Sequence, residues 1–582
     1  MTLTSSLRRI AAITMLLFAF AATVKADEEN TNYFCPMCSH WLFSINSSGT
    51  ISIKSGAENI RYSGSCTDHL YIGGACRDCH IFFHFTIDPI PHDYGADHLC
   101  TRCGDEAPHV SYIAADGSEG KRYDGEYTEL TSTTDISNIT AGWYVARGTL
   151  SYDKSFRGTN NSRGDINIIL CDGADMTITV GSGNIIGARP EQPLNIYGQR
   201  EGTGRLTGIG NWGINTADNI TINGGIISVT TESGALLSEE GNITINGGTV
   251  NATVNAANVT TSGGINARQG TIALGWRNAA DRITASSFIG TVNIASGKAF
   301  TTDGTDIYSG SGVTGIDGLT LQPLTAYSLA DNASNAEAIG KLNGVTDIDI
   351  TLQGRTLFKD GGWNTIVLPF DVEVGSGQMS DATAMTLNSS TSGFNASTGE
   401  LTLSFDNVPS GSTITAGTPF IVKWTGSDIV NPVFSNVTLS GTAAGSVTSD
   451  DGKVQFIGTY SPVGLTVNDQ SNIFLGDANT LYWPNGANNA DGKYYVNACR
   501  AYFHVDLGGS GVQAYRLNFG DATGISPEAS PQPSPEGKGD WSSLLEEGTR
   551  EADWYDFAGR RIDGIPTARG IYIKDGKKII VK

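Results

Sequence analysis

A seven-residue segment, Asn-Ile-Thr-Ile-Asn-Gly-Gly, occurs twice in this chain, at 219–225 and at 242–248, so that the copies are 23 residues apart. Isoleucine alternates with Thr and Asn, which is the period of two of a β-strand, and the closing glycines permit a corner with positive φ. A single strand of this kind cannot bury its own apolar face, so copies at a fixed spacing must stack. The repeat predicts a right-handed parallel β-solenoid.

Segments with the same alternation lie on both sides of the two copies, and we predict that the solenoid occupies residues 126–320. Asparagines at matching positions of successive turns are expected to form hydrogen-bonded ladders. Segment 141–145 is expected to belong to a cap that protects the first edge. The other predicted strands are 165–170, 176–180, 194–198, 205–208, 271–274 and 291–294.

The composition of the 582-residue chain agrees with an all-β fold. Glycine contributes 73 residues and charged residues only 16%. Thr, Ser, Asn, Ile and Val fill much of the rest, a balance that favours strands and tight turns over helices. The formal net charge is −22, whereas a nucleic-acid partner requires clustered Lys and Arg. We therefore expect no nucleic-acid partner and an acidic, solvated surface.

Residues 1–26 have the features of an export signal peptide. Two arginines at positions 8 and 9 supply the positive start, residues 10–24 supply the apolar core, and a Val-Lys-Ala tripeptide ends the segment at a suitable cleavage site. The apolar core is shorter than the roughly 20 residues of a membrane-spanning helix, and no later segment qualifies. The sequence predicts a mature protein that begins near Asp27, has no transmembrane segment and works outside the cytoplasm.

Residues 27–125 contain seven of the nine cysteines and seven of the eight histidines. Eight of these residues form four pairs with two residues between the members, a spacing that lets both members reach one tetrahedral ion from a tight turn. The pattern predicts a small zinc-ribbon-like module with structural zinc and enough ligands for two sites. The predicted ligands are Cys35, Cys38, Cys66, His69, Cys76, Cys79, Cys100 and Cys103.

The way in which the four pairs combine stays open. In sequential pairing, the first two pairs bind one ion and the last two bind the other. In a cross-braced arrangement, the second and third pairs exchange ions. The order of the pairs resembles that of cross-braced RING-type zinc domains. Disulfides are the alternative in an exported chain, although seven cysteines leave one unpaired. Further histidines, such as His40 and His80, could replace a cysteine. The remaining two cysteines, Cys171 and Cys499, are expected to be buried as small hydrophobes.

Parallel β-helices include polysaccharide lyases and galacturonases, so catalysis must be considered. Such sites need a basic proton acceptor or a cluster of carboxylates beside sugar-binding groups. No histidine lies between His109 and His504, no lysine lies between Lys154 and Lys298, and the carboxylates of the solenoid are scattered. We predict no catalytic and no cofactor-binding residues. A sugar-binding groove, with surface solubility as the alternative, would use Arg189, Arg200, Arg205, Tyr197 and Trp212.

Residues 321–521 carry longer and more aromatic strand patterns, such as 363–372 and 419–424. Turn clusters rich in Gly, Ser and Asn separate these patterns, and the spacing predicts an antiparallel, β-sandwich-like domain. The aromatic side chains are expected in its core. A solvent-facing platform would instead indicate carbohydrate stacking, with three candidate residues, Trp363, Trp424 and Trp483.

Residues 522–550 are predicted to be a Pro- and Ser-rich linker, and residues 551–582 a short C-terminal β tail. The tail resembles the C-terminal sorting domains of type IX secretion, with Gly570-Ile-Tyr572 and the closing Val-Lys as the matching residues. This resemblance implies that the secretion machinery is a partner of the tail.

The chain from about residue 126 onward resembles exported β-solenoid surface proteins of Bacteroidetes. The signal peptide, the Ile-Thr-Ile-Asn-Gly-Gly repeat, and the segments 143–145, 194–199 and 363–370 carry the resemblance. It implies a secreted or outer-membrane surface location and an adhesin-like role without catalytic residues. We expect a non-enzymatic binding protein whose solenoid presents a rigid surface to glycans or host proteins. The alternatives are a β-helix polysaccharide lyase or glycoside hydrolase, and a structural surface component.

Overall fold

The computed structural model describes residues 104–520, apart from 256–258, 260–262 and 477–478, and shorter segments towards both ends. Over these residues the protein is all-β, as predicted, and its α-helix Ala336–Lys341 and 3-10 helix Gly377–Met379 are short. No helix in this part of the chain is long and apolar enough to cross a membrane. The shorter segments are 24–26, 30–34, 41–46, 51–55, 57–63, 70–78, 82–87, 92, 94–100, 532–533, 554–556, 561–562, 570–574 and 577–581.

The strands of residues 128–294, which we call the parallel stack, form three parallel ladders. The chain visits the first, second and third ladder in turn and then returns to the first, one strand further along. Two long strands, Arg205–Thr216 and Ile226–Ser238, run through the second and third ladders. Two others, Ile265–Leu274 and Phe288–Ile294, run through the third and first. The chain thus turns the corners of the stack without leaving the extended conformation.

The shorter strands each belong to one ladder. Those of the first are Thr128–Leu130, Gly142–Ala146, Ile166–Leu170, Leu194–Gly198, Ile220–Ile222 and Ile243–Ile245. Those of the second are Thr149–Tyr152, Asp175–Thr179, Thr249–Val254 and Arg282–Ala285. Those of the third are Phe156–Arg157 and Asn184–Gly187.

The strand predicted at 141–145 is confirmed, but its predicted position in an edge cap is wrong. Gly142–Ala146 pairs with Thr128–Leu130 on one side and with Ile166–Leu170 on the other. Both of its edges are therefore hydrogen-bonded within the first ladder.

The two copies of the repeat lie in register in the first ladder. Ile220 pairs with Ile243 and Ile222 with Ile245, and all four side chains are 0% exposed. Full burial of an isoleucine is worth about 1.5–3 kcal/mol relative to exposure. Because the same column continues through the neighbouring strands, it forms a single apolar core inside the stack.

Asparagine side chains link successive turns of the stack, both within strands and at a corner, as predicted. Asn246 Nδ2 donates to Asn223 Oδ1 at 2.9 Å, and Asn195 Nδ2 donates to Asn167 Oδ1 at 3.0 Å. Gly248, at the corner that ends the second repeat, has φ +92°, and a Cβ there would lie 2.4 Å from the backbone oxygen of Gly225, the matching corner glycine of the previous turn. The closing glycine of the repeat is therefore required by both conformation and space.

A hairpin packs on the outside of the first ladder. Its strands His109–Ile113 and Glu119–Tyr123 pair antiparallel. The ring of Tyr112 lies 4.8 Å from that of Trp143, measured between centroids. Arg277 Nη2 donates at 2.6 Å to a backbone oxygen of the hairpin turn. These contacts cover part of the ladder's outer face.

The parallel pairing ends where Thr320–Pro323 pairs antiparallel with Arg282–Ala285 and with Ala299–Thr301. Strand Tyr308–Ser309 pairs with Ala299–Thr301 from the other side. The backbone N–H of Leu324 donates to the oxygen of Ala299 at 3.0 Å, and both residues lie in one apolar cluster with residues further along the chain. The connecting segment contributes to two cores, because Phe300 and Leu321 pack in the core of the stack whereas Ala299 and Leu324 pack in that of the next region.

Residues 326–518, which we call the second β region, are mostly antiparallel and enclose two apolar clusters. The prediction of one long strand at 363–372 is wrong, because Asn364–Ile366 and Val372–Glu373 are separate strands. The strands are Ala326–Ala330, Ile348–Gln353, Thr356–Leu357, Asn364–Ile366, Val372–Glu373, Thr383–Leu387, Gly393–Asn395, Glu400–Val408, Thr413–Ile414, Phe420–Lys423, Ile429–Val430, Val433–Val437, Ser446–Thr448, Val454–Thr459, Val463–Leu465, Asn472–Leu475, Leu481–Trp483, Tyr494–Val496, Arg500–Val505 and Ala514–Asn518.

Short strands are also described towards both ends of the chain. Most of the predicted signal peptide and linker lies outside the described residues. The strands are Val24–Ala26, Asn30–Phe34, Trp41–Asn46, Ile51–Ile53, Ala57–Ser63, Leu70–Cys76, Phe82–Ile87, Gln532–Pro533, Trp554–Asp556, Arg561–Ile562, Gly570–Lys574 and Lys577–Val581.

Candidate ligand-binding site

A cleft of about 360 Å³ opens in the second β region between segments that are far apart in sequence. One side is formed by residues 355–365, which include the strand Asn364–Ile366. The other side is formed by residues 474–476 and 494–501. Natural small-molecule sites have volumes of about 300–1,000 Å³, so the cleft can hold a ligand the size of a sugar unit.

Aromatic rings form much of the cleft wall. Phe474 stacks on Tyr494, with ring centroids 4.8 Å apart and planes 14° from parallel. Tyr482 flanks Phe474 from another side at 6.2 Å. Burial raises the pKa of Tyr494 to about 12, so this ring stays a neutral phenol at physiological pH. The opposite wall includes Trp363, which is held by stacking on Phe519 at 5.0 Å.

Arg355 lines the cleft and yet is only 2% exposed. Its Nη2 donates to the backbone oxygen of Thr365 at 2.8 Å, which anchors the side chain to the neighbouring strand. Its Nε and Nη1 have no hydrogen-bond partner among the residues that the structure describes. A buried donor without an acceptor costs about 1–3 kcal/mol, and more when the group is charged. The cleft therefore contains a cationic group with unused donors.

The second arginine of the cleft, Arg500, is neutralised by a carboxylate behind it. Arg500 Nη2 donates to both carboxylate oxygens of Asp331, at 2.9 and 3.0 Å. Asn497 Nδ2 donates to the same carboxylate at 2.9 Å. The side chains of Arg500 and Asp331 are 11% and 3% exposed. Burial lowers the pKa of Arg500 and the Asp331 carboxylate opposes this effect, so the pair adds no net charge to the cleft.

Asp360 is the carboxylate among the residues that line the cleft. It is exposed at the rim, and its Oδ1 accepts the backbone N–H of Gly362 at 2.7 Å. Deeper in the wall, Asn364 fixes the segment before it, because Oδ1 accepts the N–H of Phe358 at 2.9 Å and Nδ2 donates to the backbone oxygen of Phe358 at 2.8 Å. The lining thus combines rigid rings, one rim carboxylate and a buried guanidinium.

Two of the eight predicted metal ligands lie in the described part of the chain. Cys76 ends the strand Leu70–Cys76, and Cys100 is 2% exposed, with its backbone oxygen accepting the N–H of Gly104 at 2.8 Å. Within the described residues, no group of three or more His, Cys, Asp and Glu side chains is placed to hold a metal ion. The ligands outside the described residues are Cys35, Cys38, Cys66, His69, Cys79 and Cys103.

The predicted arginine and aromatic groove on the stack is spread over different ladders. Tyr197 is in the first ladder opposite Ile169, Arg205 is in the second, and Trp212 is in the third. Tyr197 is also covered by the hairpin, with the Tyr112 ring centroid 4.9 Å away. The other two arginines, Arg189 and Arg200, precede the first and second ladder strands rather than completing one face.

Several single-residue predictions are confirmed. Trp363 and Trp424 are core residues with 6% and 5% exposure, and Cys171 and Cys499 are buried at 5% and 3%. Burial raises the pKa of the Cys499 thiol to about 12. The described part of the chain thus combines an all-β architecture with an aromatic cleft that contains a buried arginine. Comparisons with protein-family models, with curated proteins and with solved structures find no match.

Proposed function

We propose that the chain is an exported, non-enzymatic binding protein that works in secreted form or at the cell surface, with an adhesin-like role. Its ligands would be glycans or extracellular host proteins. The observation that carries the proposal is the cleft of the second β region, because it joins stacked aromatic walls to hydrogen-bond donors in a volume of about 360 Å³. Aromatic rings beside a few well-placed polar groups are the usual composition of a binding pocket.

The parallel stack would serve as a rigid support. We propose that residues 126–320 form a right-handed parallel β-solenoid and residues 321–521 a β-sandwich-like domain. Three parallel ladders around one apolar core support the first assignment. The largely antiparallel pairing of the second β region supports the other. A stack of this kind resists bending because each strand is hydrogen-bonded to the next one.

Binding is favoured over polysaccharide cleavage by the lining of the cleft. Glycoside hydrolases use two carboxylates, separated by about 5–9.5 Å, on either side of the scissile bond. Asp360 is the carboxylate in the lining, and Asp331 is held by Arg500 outside it. A β-helix enzyme and a structural surface component remain the competing functions.

The two ends of the chain complete the proposal. Residues 1–26 would direct export, and residues 551–582 would engage the type IX secretion machinery. Residues 27–125 would form a module held by structural zinc at one or two sites. The burial of Cys100, whose backbone oxygen accepts the N–H of Gly104, supports a ligand role for this residue.

The test uses the mature chain from Asp27 onward. It would be passed over immobilised polysaccharides and matrix proteins, with retention and the release of new sugar ends measured on the same samples. We expect retention on at least one support without new sugar ends. New sugar ends would establish an enzyme, and a lack of retention on every support would favour a structural component.

A further inference from the structure

We propose that the cleft of the second β region binds a saccharide that carries a carboxylate, such as a uronic acid unit, through the buried guanidinium of Arg355. This inference rests on the proposed binding function and names the ligand class of the same cleft. It requires a ligand group with a negative charge, hydrogen-bond acceptors and a ring that fits against aromatic walls.

The interior of the cleft contains a positive charge. An arginine is always protonated in proteins, so Arg355 places a full positive charge at a position that is 2% exposed. The charge of Arg500 is balanced by Asp331 at 2.9 Å. Within the part of the chain that the structure describes, Arg355 forms no ion pair, so its charge is available for a bound monoanion to neutralise.

The second step concerns hydrogen bonding. Thr365 accepts a hydrogen bond from Nη2 of Arg355, and this contact fixes the plane of the guanidinium. Nε and Nη1 have no acceptor in the described part of the chain. Carboxylate oxygens are strong acceptors for guanidinium N–H groups, and such charge-assisted bonds are about twice as strong as neutral ones. Both atoms are buried, so an entering carboxylate would displace part of the lining to reach donors that the described residues leave without partners.

The third step distinguishes a sugar acid from other anions. Phe474 and Tyr494 stack on each other and both line the cleft, so they give it a rigid apolar wall that suits the C–H surface of a pyranose. The exposed Asp360 at the rim would repel a dianion such as a phosphate more strongly than a monocarboxylate. A volume of about 360 Å³ has room for one or two sugar units rather than for a folded partner.

The primary test needs no substitution. Calorimetric titration of the mature chain would compare D-galacturonate with D-galactose, and D-glucuronate with D-glucose, at pH 7 and constant ionic strength. We expect at least one acid to bind about 10-fold or more tightly than its neutral partner. Equal affinities of acid and neutral sugar would overturn the role of Arg355 while leaving the proposed binding function standing. Absence of binding by all four sugars would overturn the inference as well.

Variants locate the site. Arg355→Gln should remove the preference for the acid. The control is Arg516→Gln, which changes an arginine elsewhere in the region whose side chain is 48% exposed, and it should keep the preference. If Arg355→Gln fails to fold by circular dichroism, Asp360→Asn gives an independent result. Removing the rim charge should raise the affinity for the acid about 2- to 5-fold and leave that for the neutral sugar unchanged. No change with Asp360→Asn, or an intact preference in folded Arg355→Gln, would contradict the proposed site.

Discussion

Asn223 is a polar side chain in a position that is only 2% exposed. Its Oδ1 accepts a hydrogen bond from Asn246 Nδ2 at 2.9 Å, which ties two turns of the stack together. Asn223→Ala leaves the Asn246 amide without this acceptor, and we expect it to lower the free energy of unfolding by about 1–3 kcal/mol. Guanidinium denaturation followed by circular dichroism would measure the loss.

The matched control is Asn219→Ala, at the start of the same repeat. Asn219 is exposed, and its Oδ1 accepts the backbone N–H of Asn242 at 2.8 Å. Water can replace this acceptor, so the loss should be about 1 kcal/mol or less. Equal losses in the two variants would show that burial of the Asn223 amide is not what stabilises this corner.

Asp306 gives the stability a defined dependence on pH. Burial would raise the pKa of Asp306, but hydrogen bonds from Thr301 and Thr302 outweigh burial and lower the pKa to about 2. A carboxyl with a folded pKa below its unfolded value of about 3.9 stabilises the fold above about pH 4 and loses this effect as pH falls towards 2. We expect Asp306→Asn to destabilise the fold at pH 7 by about 1–2 kcal/mol, after allowance for solvent screening.

Denaturation at pH 7, 4 and 2.5 would test this expectation. The difference between the wild type and Asp306→Asn should shrink between pH 4 and 2.5, because the unfolded wild type then binds a proton at this carboxyl while the folded one stays largely ionised. Asp153→Asn, on an exposed turn, is the control and should show a smaller difference at pH 7. A difference for Asp306→Asn that is the same at all three pH values would contradict the assignment.

Arg355 shows what could not be predicted at the residue scale. In the sequence it stands between Gly354 and Thr356, in a segment without any motif. Its importance comes from burial and from donors without partners, which depend on side chains about 120–145 positions further along the chain. The burial of Trp363 and Cys499, in contrast, could be predicted from residue type alone.

At the scale of elements, the alternation of the repeat makes a direct prediction. Ile222 is 0% exposed in the first ladder, whereas Thr221 beside it points outward and is half-buried. Ile222→Ala should lower the free energy of unfolding by about 2–5 kcal/mol through loss of burial and creation of a cavity. Thr221→Ala should change it by about 0.5 kcal/mol. Chemical denaturation would compare the two, and similar losses would contradict the inward and outward assignment.

Strand positions in the stack were largely predictable because period-two alternation is a local property. The predicted segments 165–170, 194–198 and 291–294 match strands of the first ladder. The long strand Arg205–Thr216 was predicted only in its first four residues. Its later part contains two glycines and no clean alternation, and it is extended because the strands above and below pair with it. Pairing with neighbouring strands therefore determines the extended conformation here, because the local sequence pattern does not.

The second β region was harder to predict for a related reason. The apolar run at 363–372 has the composition of one long strand, but Pro369 interrupts the hydrogen-bonding pattern within it. Residues 364–366 pair with Phe420–Lys423, and residues 372–373 pair with Thr413–Ile414. Of this run, residues 363–365 line the cleft opposite residues 494–501, whereas residues 366–372 do not line it.

At the scale of the whole molecule, the N-terminal module yields a prediction about metal content. The mature chain, purified without chelators, should contain about one or two zinc ions per chain by mass spectrometry of the metals. Cys100→Ser should lower the zinc content, and Cys171→Ser, a buried cysteine of the stack, should not. If the chain contains no zinc and its cysteines form disulfides, the prediction of zinc sites is wrong and cross-links stabilise the module instead.

The segment 297–324 connects the parallel stack to the second β region, because it contributes residues to the apolar cores of both. The backbone N–H of Thr346 donates to the oxygen of Gly297 at 3.1 Å, in addition to the Leu324 contact with Ala299. Such a junction would hold the cleft in a fixed orientation relative to the stack. The proposed binding protein would thereby present its ligand site on a stiff support.

The most direct test of the account is hydrogen–deuterium exchange of the mature chain, with and without oligosaccharides from a polysaccharide that retains it. If the cleft binds the ligand, amide exchange at residues 355–365 and 494–501 should be slower in its presence, and exchange in the parallel stack should not change. Protection confined to the ladders of the stack, or no protection combined with release of new sugar ends, would contradict it.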